Sequence, residues 1–251
     1  MNPKEAVIYD LEYTTWSGAL ERNWSGKDEY REIIRIGAIS IDLDNLQEIE
    51  ALDVFVKPSV NPTLSDYCVT LTDITNEQIQ AEGIALHEAL HKFAGFVGKR
   101  NTFYYGYDIL EILENLRLNN IAFNARTLQS DSPIVINEYN QTDSCLESNV
   151  VEVTLYGSDR LNTLGRMSEG VYVEINLNGN LVQLTSTNLK YWFHANASET
   201  QEKTSGEIAE ALGISKELKG KIHNPLFDVR SICIGLRELV LSRHIENPLK
   251  R

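Results

Sequence analysis

Residues 6–12 read Ala-Val-Ile-Tyr-Asp-Leu-Glu, an apolar run that leads into two carboxylates. Such a short apolar run predicts a buried strand over residues 6–9, ending at the acidic residues. Residues i and i+2 of a strand point to the same face, so Asp10 and Glu12 are expected side by side. Two adjacent carboxylates repel unless a cation joins them, and Mg²⁺ prefers oxygen ligands. The pair is therefore a candidate metal site, although a solvated strand end is the alternative.

Two further apolar runs follow, at residues 33–41 and 51–56. Because short polar turns join the three runs, they predict an antiparallel meander. Thr75 and Gln78 have the spacing of a capping box that opens a helix. A second helix is predicted up to about Gly98, because apolar residues recur there at helical spacing.

The second half of the pattern alternates strands and helices. Residues 102–107 form a short aromatic run that predicts a fourth strand, and Asp108 is placed to cap the helix that follows. Further helices are predicted over residues 204–212 and 226–244. Strands first, then alternation, predict a mixed α/β sheet.

Residues 130–200 interrupt this rhythm with a composition rich in Asn, Ser, Thr and Val. Residues 171–177 and 180–185 flank Asn178-Gly179, a pair suited to a two-residue hairpin turn. We interpret the stretch as a β-rich insertion within a single domain of residues 1–251.

The formal net charge of −13 disfavours broad binding of nucleic acid by a basic face. Residues 201–251 carry +2, so the first 200 residues carry −15. A nucleic acid would therefore have to be held locally, and an acidic site filled with cations would do so. No apolar run approaches the roughly 20 residues of a membrane span. The three cysteines are far apart and form no disulfide or metal pattern, so a reducing cytoplasm is the expected location.

His223 and Asp228 stand five residues apart at the predicted start of the last helix. One interpretation is structural, since Asn224-Pro225 is a good helix start by itself. The other is catalytic, with a histidine base whose pKa lies near working pH and a metal-binding carboxylate. The pair alone does not separate the two.

In combination these motifs resemble the DEDDh 3′–5′ exonucleases: Asp-x-Glu on the first strand, Asp108 after a middle strand, and His-x4-Asp at the last helix. Residues 32–38 resemble the second strand of that family. Its Eri-type exoribonuclease branch is resembled by residues 55–58, 62–68, 71–75, 203–209 and 212–213. The resemblance covers about residues 5–125 and 200–243.

The resemblance implies an RNase H-like mixed five-stranded sheet flanked by helices. It implies two divalent cations, Mg²⁺ or Mn²⁺, held by Asp10, Glu12, Asp108 and Asp228. His223 would act as general base, and Leu11, Thr14 and Trp16 would contact the terminal nucleotide. The expected reaction is removal of nucleoside 5′-monophosphates from RNA 3′ ends, with single-stranded DNA as the alternative substrate.

Some features depart from this family or favour another function. Asp73 stands where the family usually has Gly, only Tyr107 separates Gly106 from Asp108, and residues 130–200 are longer than expected. His87-Glu88-Ala89-Leu90-His91 spells the zinc-protease pattern H-E-x-x-H, with Glu111 and Glu114 as downstream acids. A catalytically quiet interaction module is a further alternative, and a homodimer is left open.

Overall fold

The computed structural model describes residues 4–22, 24–128, 134–137, 151–154 and 170–250. In these ranges the strands are Glu5–Tyr13 (β1), Ile33–Asp42 (β2), Glu48–Phe55 (β3), Thr102–Tyr104 (β4), Phe123–Thr127 (β5), Ile134–Asn137 (β6), Val151–Thr154 (β7), Val171–Leu177 (β8) and Asn180–Asn188 (β9). The α-helices are Asp66–Thr72 (α1), Asn76–Glu82 (α2), Leu86–Val97 (α3), Asp108–Leu118 (α4), Lys190–Asn196 (α5), Ile208–Ala211 (α6) and Pro225–Arg237 (α7). None of the helices in the described ranges could cross a membrane.

Seven of these strands form one mixed sheet in the order β3-β2-β1-β4-β9-β8-β5. β1, β2 and β3 form the predicted antiparallel meander, while β4 lies parallel to both β1 and β9. β6 and β7 pair with each other as a separate parallel ladder. The predicted α/β class with a mixed sheet is confirmed.

The prediction of five strands is wrong, because the sheet has seven. The hairpin is present where Asn178 and Gly179 predicted it, and both residues have the positive φ that its turn requires. Its strands extend the main sheet beyond β4. Alternate residues of β8 are buried, and they join the same core as Tyr9 and Phe93. Residues 129–133, 138–150 and 155–169 lie outside the described part of the chain. The boundaries of an insertion and the single-domain organisation therefore stay predictions.

Two hydrophobic layers cover the two faces of the sheet. On β1, Tyr9 and Leu11 pack toward α3 and α4. Ala6 and Ile8 alternate with them and pack in the layer that contains α7. β1 does not end before the acidic residues but continues to Tyr13, so Asp10 and Glu12 carry on the Ala6–Ile8 side of the alternation. Both carboxylates therefore face α7.

The helix predictions are mostly confirmed, with shifted ends. Thr75 and Gln78 form the predicted capping box at the start of α2. The predicted helix over residues 204–212 is a 3₁₀ turn, Ser205–Glu207, that leads into α6. The last helix begins at Pro225, and its final turn changes to π geometry over Glu238–Ser242. α5 was not predicted, and β4 stops at Tyr104.

Candidate metal centre

Asp10 and Glu12 are both buried, at 5% and 7% exposure. The opposite strand explains why α7 can lie so close to them, because Asp10 pairs with Gly37 of β2. A Cβ atom at Gly37 would lie 2.7 Å from the Cβ of Pro225, the first residue of α7. The missing side chain therefore lets the start of α7 rest on the sheet beside the two carboxylates.

Asp228 enters the same space from the first turn of α7. Asn224 fixes the start of this helix, since its side-chain oxygen accepts hydrogen bonds from Leu226 N and Phe227 N. Carboxylate oxygens of Asp10, Glu12 and Asp228 lie within 4.8 Å of one another. Asp228 Oδ2 accepts a hydrogen bond from His223 N at 3.3 Å, whereas Oδ1 is buried without a hydrogen-bond partner among the described residues.

Asp108 lies next to this group without belonging to the closest three. The prediction that it caps α4 is wrong, because Tyr107 occupies the N-cap position and Asp108 is the first helical residue. Its Oδ1 instead accepts a hydrogen bond from Leu11 N of β1 at 3.1 Å. The bond holds the start of α4 against β1, and the charge of Asp108 raises the pKa of both Asp10 and Glu12.

The four carboxyl groups are strongly disfavoured as anions. Burial is the main cause that raises the pKa of Asp10, Glu12 and Asp108 well above the ordinary range, and repulsion from neighbouring carboxylates adds to it. Burial and the charge of Asp10 raise the pKa of Asp228 to about 9. The donors fit a hard divalent cation, which would reverse the local charge and take the unpartnered Asp228 oxygen as a ligand.

His223 is half-buried and lies in the left-handed region at φ 65°. Its backbone, through the bond to Asp228, is in contact with the carboxylate group. Burial, and next the positive charge of Lys221, lower the pKa of the imidazole. A neutral imidazole is the form a general base needs, and that role of His223 stays a prediction.

The three predicted nucleotide contacts have different environments. Leu11 is buried, and its N–H is bonded to Asp108. The Thr14 hydroxyl is fully engaged inside the protein, since it donates to Tyr30 O and accepts from Glu32 N. Trp16 is partly exposed. Thr14 thus anchors the segment after β1, and the contacts of all three with a nucleotide stay predictions.

The zinc-protease alternative has no support in the described part of the chain. His87 and His91 lie on α3, but the group of Asp10, Glu12 and Asp228 is the one metal-binding arrangement among the described residues. Glu111 and Glu114 are instead buried with Arg31, which lies 2.9 Å from Glu114 and 3.4 Å from Glu111.

Sequence reasoning gave no site role to Ser205 and Gly206. A Cβ atom at Gly206 would lie 2.4 Å from Asp228 Oδ1, and the Gly206 carbonyl accepts a hydrogen bond from Ser231. The nearby Ser205 hydroxyl lowers the pKa of Asp10 and Asp228, against the larger effect of burial. A polar run such as Thr-Ser-Gly-Glu carries no local pattern that would reveal these contacts.

Part of the chain is similar to known exonucleases. Residues 7–128 match the family model RNase_T, described as Exonuclease. The chain is 32% identical to the 3'-5' exonuclease eri1 of Schizosaccharomyces pombe over 112 residues, which are 44% of this chain and 35% of that protein. It is 30% identical to ERI1 exoribonuclease 2 of Xenopus laevis over 93 residues, or 37% of this chain and 12% of that protein. The chain thus spans about a third or less of these curated relatives.

Solved structures share the fold. One, of the 3'-end specific recognition of a histone mRNA stem-loop by 3'-exonuclease, matches with a TM-score of 0.60 at 14% identity and covers 95% of this chain and 82% of that one. The nuclease domain of 3'hExo, a DEDDh family member bound to rAMP, matches with a TM-score of 0.58 at 15% identity, over 95% of this chain and 92% of that one. At these identities the likeness establishes the seven-stranded α/β fold.

Proposed function

We propose that the chain is a metal-dependent 3′–5′ exonuclease of the DEDDh family, which releases nucleoside 5′-monophosphates from RNA. The single observation that carries the proposal is the meeting of Asp10, Glu12 and Asp228 within 4.8 Å, with one buried Asp228 oxygen left without a partner. Structural carboxylates are normally paired when buried, so this arrangement favours a functional site.

Asp10, Glu12 and Asp228 would hold one divalent cation, Mg²⁺ or Mn²⁺, and Asp108 would take part in holding a second. When bound, such cations neutralise the carboxylates and stabilise negative charge that develops on a phosphate. The protein supplies the buried pocket and fixes its donors through the start of α7, the Leu11–Asp108 bond and the close approach of Gly206.

A ring nitrogen of His223 would accept a proton from the attacking water. Its lowered pKa keeps the imidazole neutral at neutral pH, so the ring is ready to accept that proton. The water oxygen then forms a bond to the terminal phosphorus, and the bond to the 3′ oxygen of the preceding nucleotide breaks. The terminal nucleotide leaves as a 5′-monophosphate.

RNA is the substrate we favour, on two grounds. Curated relatives are named exoribonucleases, and a solved structure with this fold concerns recognition of an mRNA stem-loop. A centre that acts on phosphate does not by itself distinguish RNA from DNA, because the backbone phosphates are common to both. Single-stranded DNA is therefore the substrate to test beside RNA.

The direct test uses 5′-labelled RNA and DNA oligomers of one sequence with Mn²⁺, with and without chelator. We expect a ladder of products shortened from the 3′ end, faster for RNA and absent with chelator. Asp10→Asn should abolish it, whereas Asp44→Asn, an exposed acid paired with Lys250, should behave as wild type. Hydrolysis retained by Asp10→Asn would refute the assignment, and binding without hydrolysis by the wild type would favour an interaction module.

A further inference from the structure

A cavity of about 260 Å³ opens beside the carboxylate group. Its walls come from β2, β3, the end of α1 and the loop that carries His223. The lining includes Arg35, Phe55, Asp73, Lys221 and Asn224. None of these residues is among the four carboxylates or the proposed base, and two of them are cations in a protein of net charge −13.

Contacts on two sides place the cavity next to the reacting groups. Arg35 pairs with Glu12 across β1 and β2, and directly opposed residues of an antiparallel pair share a face. The charge of Arg35 accordingly lowers the pKa of Glu12. At the other wall, Lys221 lies in the lining and precedes His223 by two residues in the loop before α7.

The hydrogen-bond donors that line the cavity are held in place by the protein. Some of their N–H groups have no acceptor among the described residues. Arg35 bonds Asp53 through Nε and Nη2, at 2.7 and 2.6 Å, and stacks over Phe55. In the described ranges no acceptor is bonded to its Nη1 group. Asn224 also lines the cavity and uses its side-chain oxygen to cap α7, so its amide nitrogen has no hydrogen bond among the described residues.

Lys221 is the more exposed donor, and it contacts two acceptors near the end of α1, Asp73 Oδ2 and, at 3.4 Å, Thr70 O. Its Nζ lies 3.0 Å from Asp73 Oδ2, and both side chains are more than half exposed. An exposed ion pair contributes little to stability, so Lys221 can turn to a more strongly charged ligand at small cost. Asp73, where the family usually has Gly, thus holds Lys221 at the cavity mouth.

We propose that this cavity binds the nucleotide that precedes the terminal one, with Arg35 and Lys221 holding its 5′ phosphate. The inference rests on the proposed exonuclease function. In a strongly acidic protein, Arg35 and Lys221 would offer two cations near the carboxylate pocket to a strand that leaves it along this cavity. The volume lies just below the roughly 300–1,000 Å³ of small-ligand pockets, so it suits the phosphate and sugar of one nucleotide.

The test compares two dinucleotides that differ by one phosphate, NpN and pNpN, with Mn²⁺. In the wild type the added 5′ phosphate should raise kcat/KM roughly tenfold, as expected for charge-assisted hydrogen bonds. In the double variant Arg35→Gln/Lys221→Met the ratio of the two kcat/KM values should fall to about one. Each ratio is taken within one protein, so a change in overall rate cancels.

The matched control is Arg243→Gln/Lys250→Met, which removes two cations from surface ion pairs with Glu199 and Asp44. It should keep the wild-type ratio. Because Arg35 also links β2 to β3, Lys221→Met alone is the second variant and should lower the ratio roughly threefold.

If both dinucleotides are cleaved and the ratio of their kcat/KM values is the same in wild type and double variant, the assignment of the cavity is overturned. The proposed exonuclease function would still stand. Absence of cleavage of dinucleotides and of longer RNA would overturn the proposed function and the assignment with it.

Discussion

The negative charges of the acidic residues at the metal centre are unfavourable in their buried positions. Each is nearly removed from water, and the group contains no cationic side chain among its three closest members. Burial alone raises the pKa of a carboxyl group, and proximity of like charges raises it further. A fold that keeps such a group gives up stability, which is typical of functional sites.

Replacing Asp228 by Asn should abolish hydrolysis. In the protein kept free of metal by chelator, the same change should stabilise the fold. The pKa of Asp228 is about 9 in the folded protein and ordinary in the unfolded chain, so between about pH 4 and pH 9 the folded state binds more protons. The free energy of unfolding therefore falls as pH rises through this window. Asn does not titrate, so the Asp228→Asn variant lacks that fall. With chelator at about pH 8 we expect a Tm gain of roughly 3 °C or more, vanishing near pH 4.

Thermal melts across pH check this sign. Asp44→Asn, at an exposed position, is the control and should leave the Tm nearly unchanged at every pH. A lower Tm of Asp228→Asn at about pH 8 would mean that Asp228 stabilises the fold as an anion, contrary to the account.

Gly206 should tolerate no side chain, because it touches the carboxylate that must meet the cation. Gly206→Ala places a Cβ 2.4 Å from Asp228 Oδ1, so the carboxylate has to move. Since a misplacement of ~1 Å costs about 10²-fold in rate, kcat should fall roughly 10²-fold. Gly95→Ala, whose Cβ would meet no described atom within 4 Å, should keep full activity. Equal activity of the two variants would exclude this positioning role.

At the scale of elements, the sequence predicted what depends on neighbours in the chain. The strand alternation that puts Asp10 and Glu12 on one face, the Asn178-Gly179 turn and the Asn224-Pro225 helix start are all local, and the structure confirms them, although β1 runs on to Tyr13. Asp108 was misassigned as a cap because its partner, Leu11 N, lies 97 residues away. The hairpin's place beside β4 depends on a parallel pairing of Thr102 with Ser186, which no local pattern encodes. Distant pairing also hid the role of Gly206.

α4, which carries Asp108, should depend on one buried amide. Asn115 accepts a hydrogen bond from Ile33 N at 2.9 Å and donates to Arg31 O at 2.7 Å, so it ties the helix to the start of β2. Asn115→Ala leaves both backbone groups buried and unpaired, and we expect a loss of roughly 2–4 kcal/mol in the free energy of unfolding.

Urea denaturation measures this loss, and Asn119→Ala at the C-cap of the same helix is its control. Asn119 makes one partly buried bond, to Asn115 O, so its removal should cost only about 1 kcal/mol. Equal losses for the two variants would show that Asn115 is not a specific tie.

For the whole molecule, the charge distribution predicts weak dependence of RNA binding on monovalent salt. A net charge of −13 offers few cations to a strand, and the proposed grip uses Arg35 and Lys221. Each phosphate contact on a single strand contributes a slope of about −0.7 to log K against log salt. At fixed Mn²⁺ we expect a slope no steeper than about −2. A slope steeper than about −4 would mean that an extended basic surface binds RNA, contrary to a grip by Arg35 and Lys221.

Calorimetric titration with Mn²⁺ measures directly whether the buried carboxylates form a cation site. Titrations in buffers of different ionisation enthalpy also count protons, and carboxyl groups with raised pKa must release them when the cation binds. We expect binding with net proton release near neutral pH, lost in Asp10→Asn and in Asp228→Asn but kept in Asp44→Asn. Mn²⁺ binding of equal strength in all four proteins, or no binding by the wild type, would contradict it.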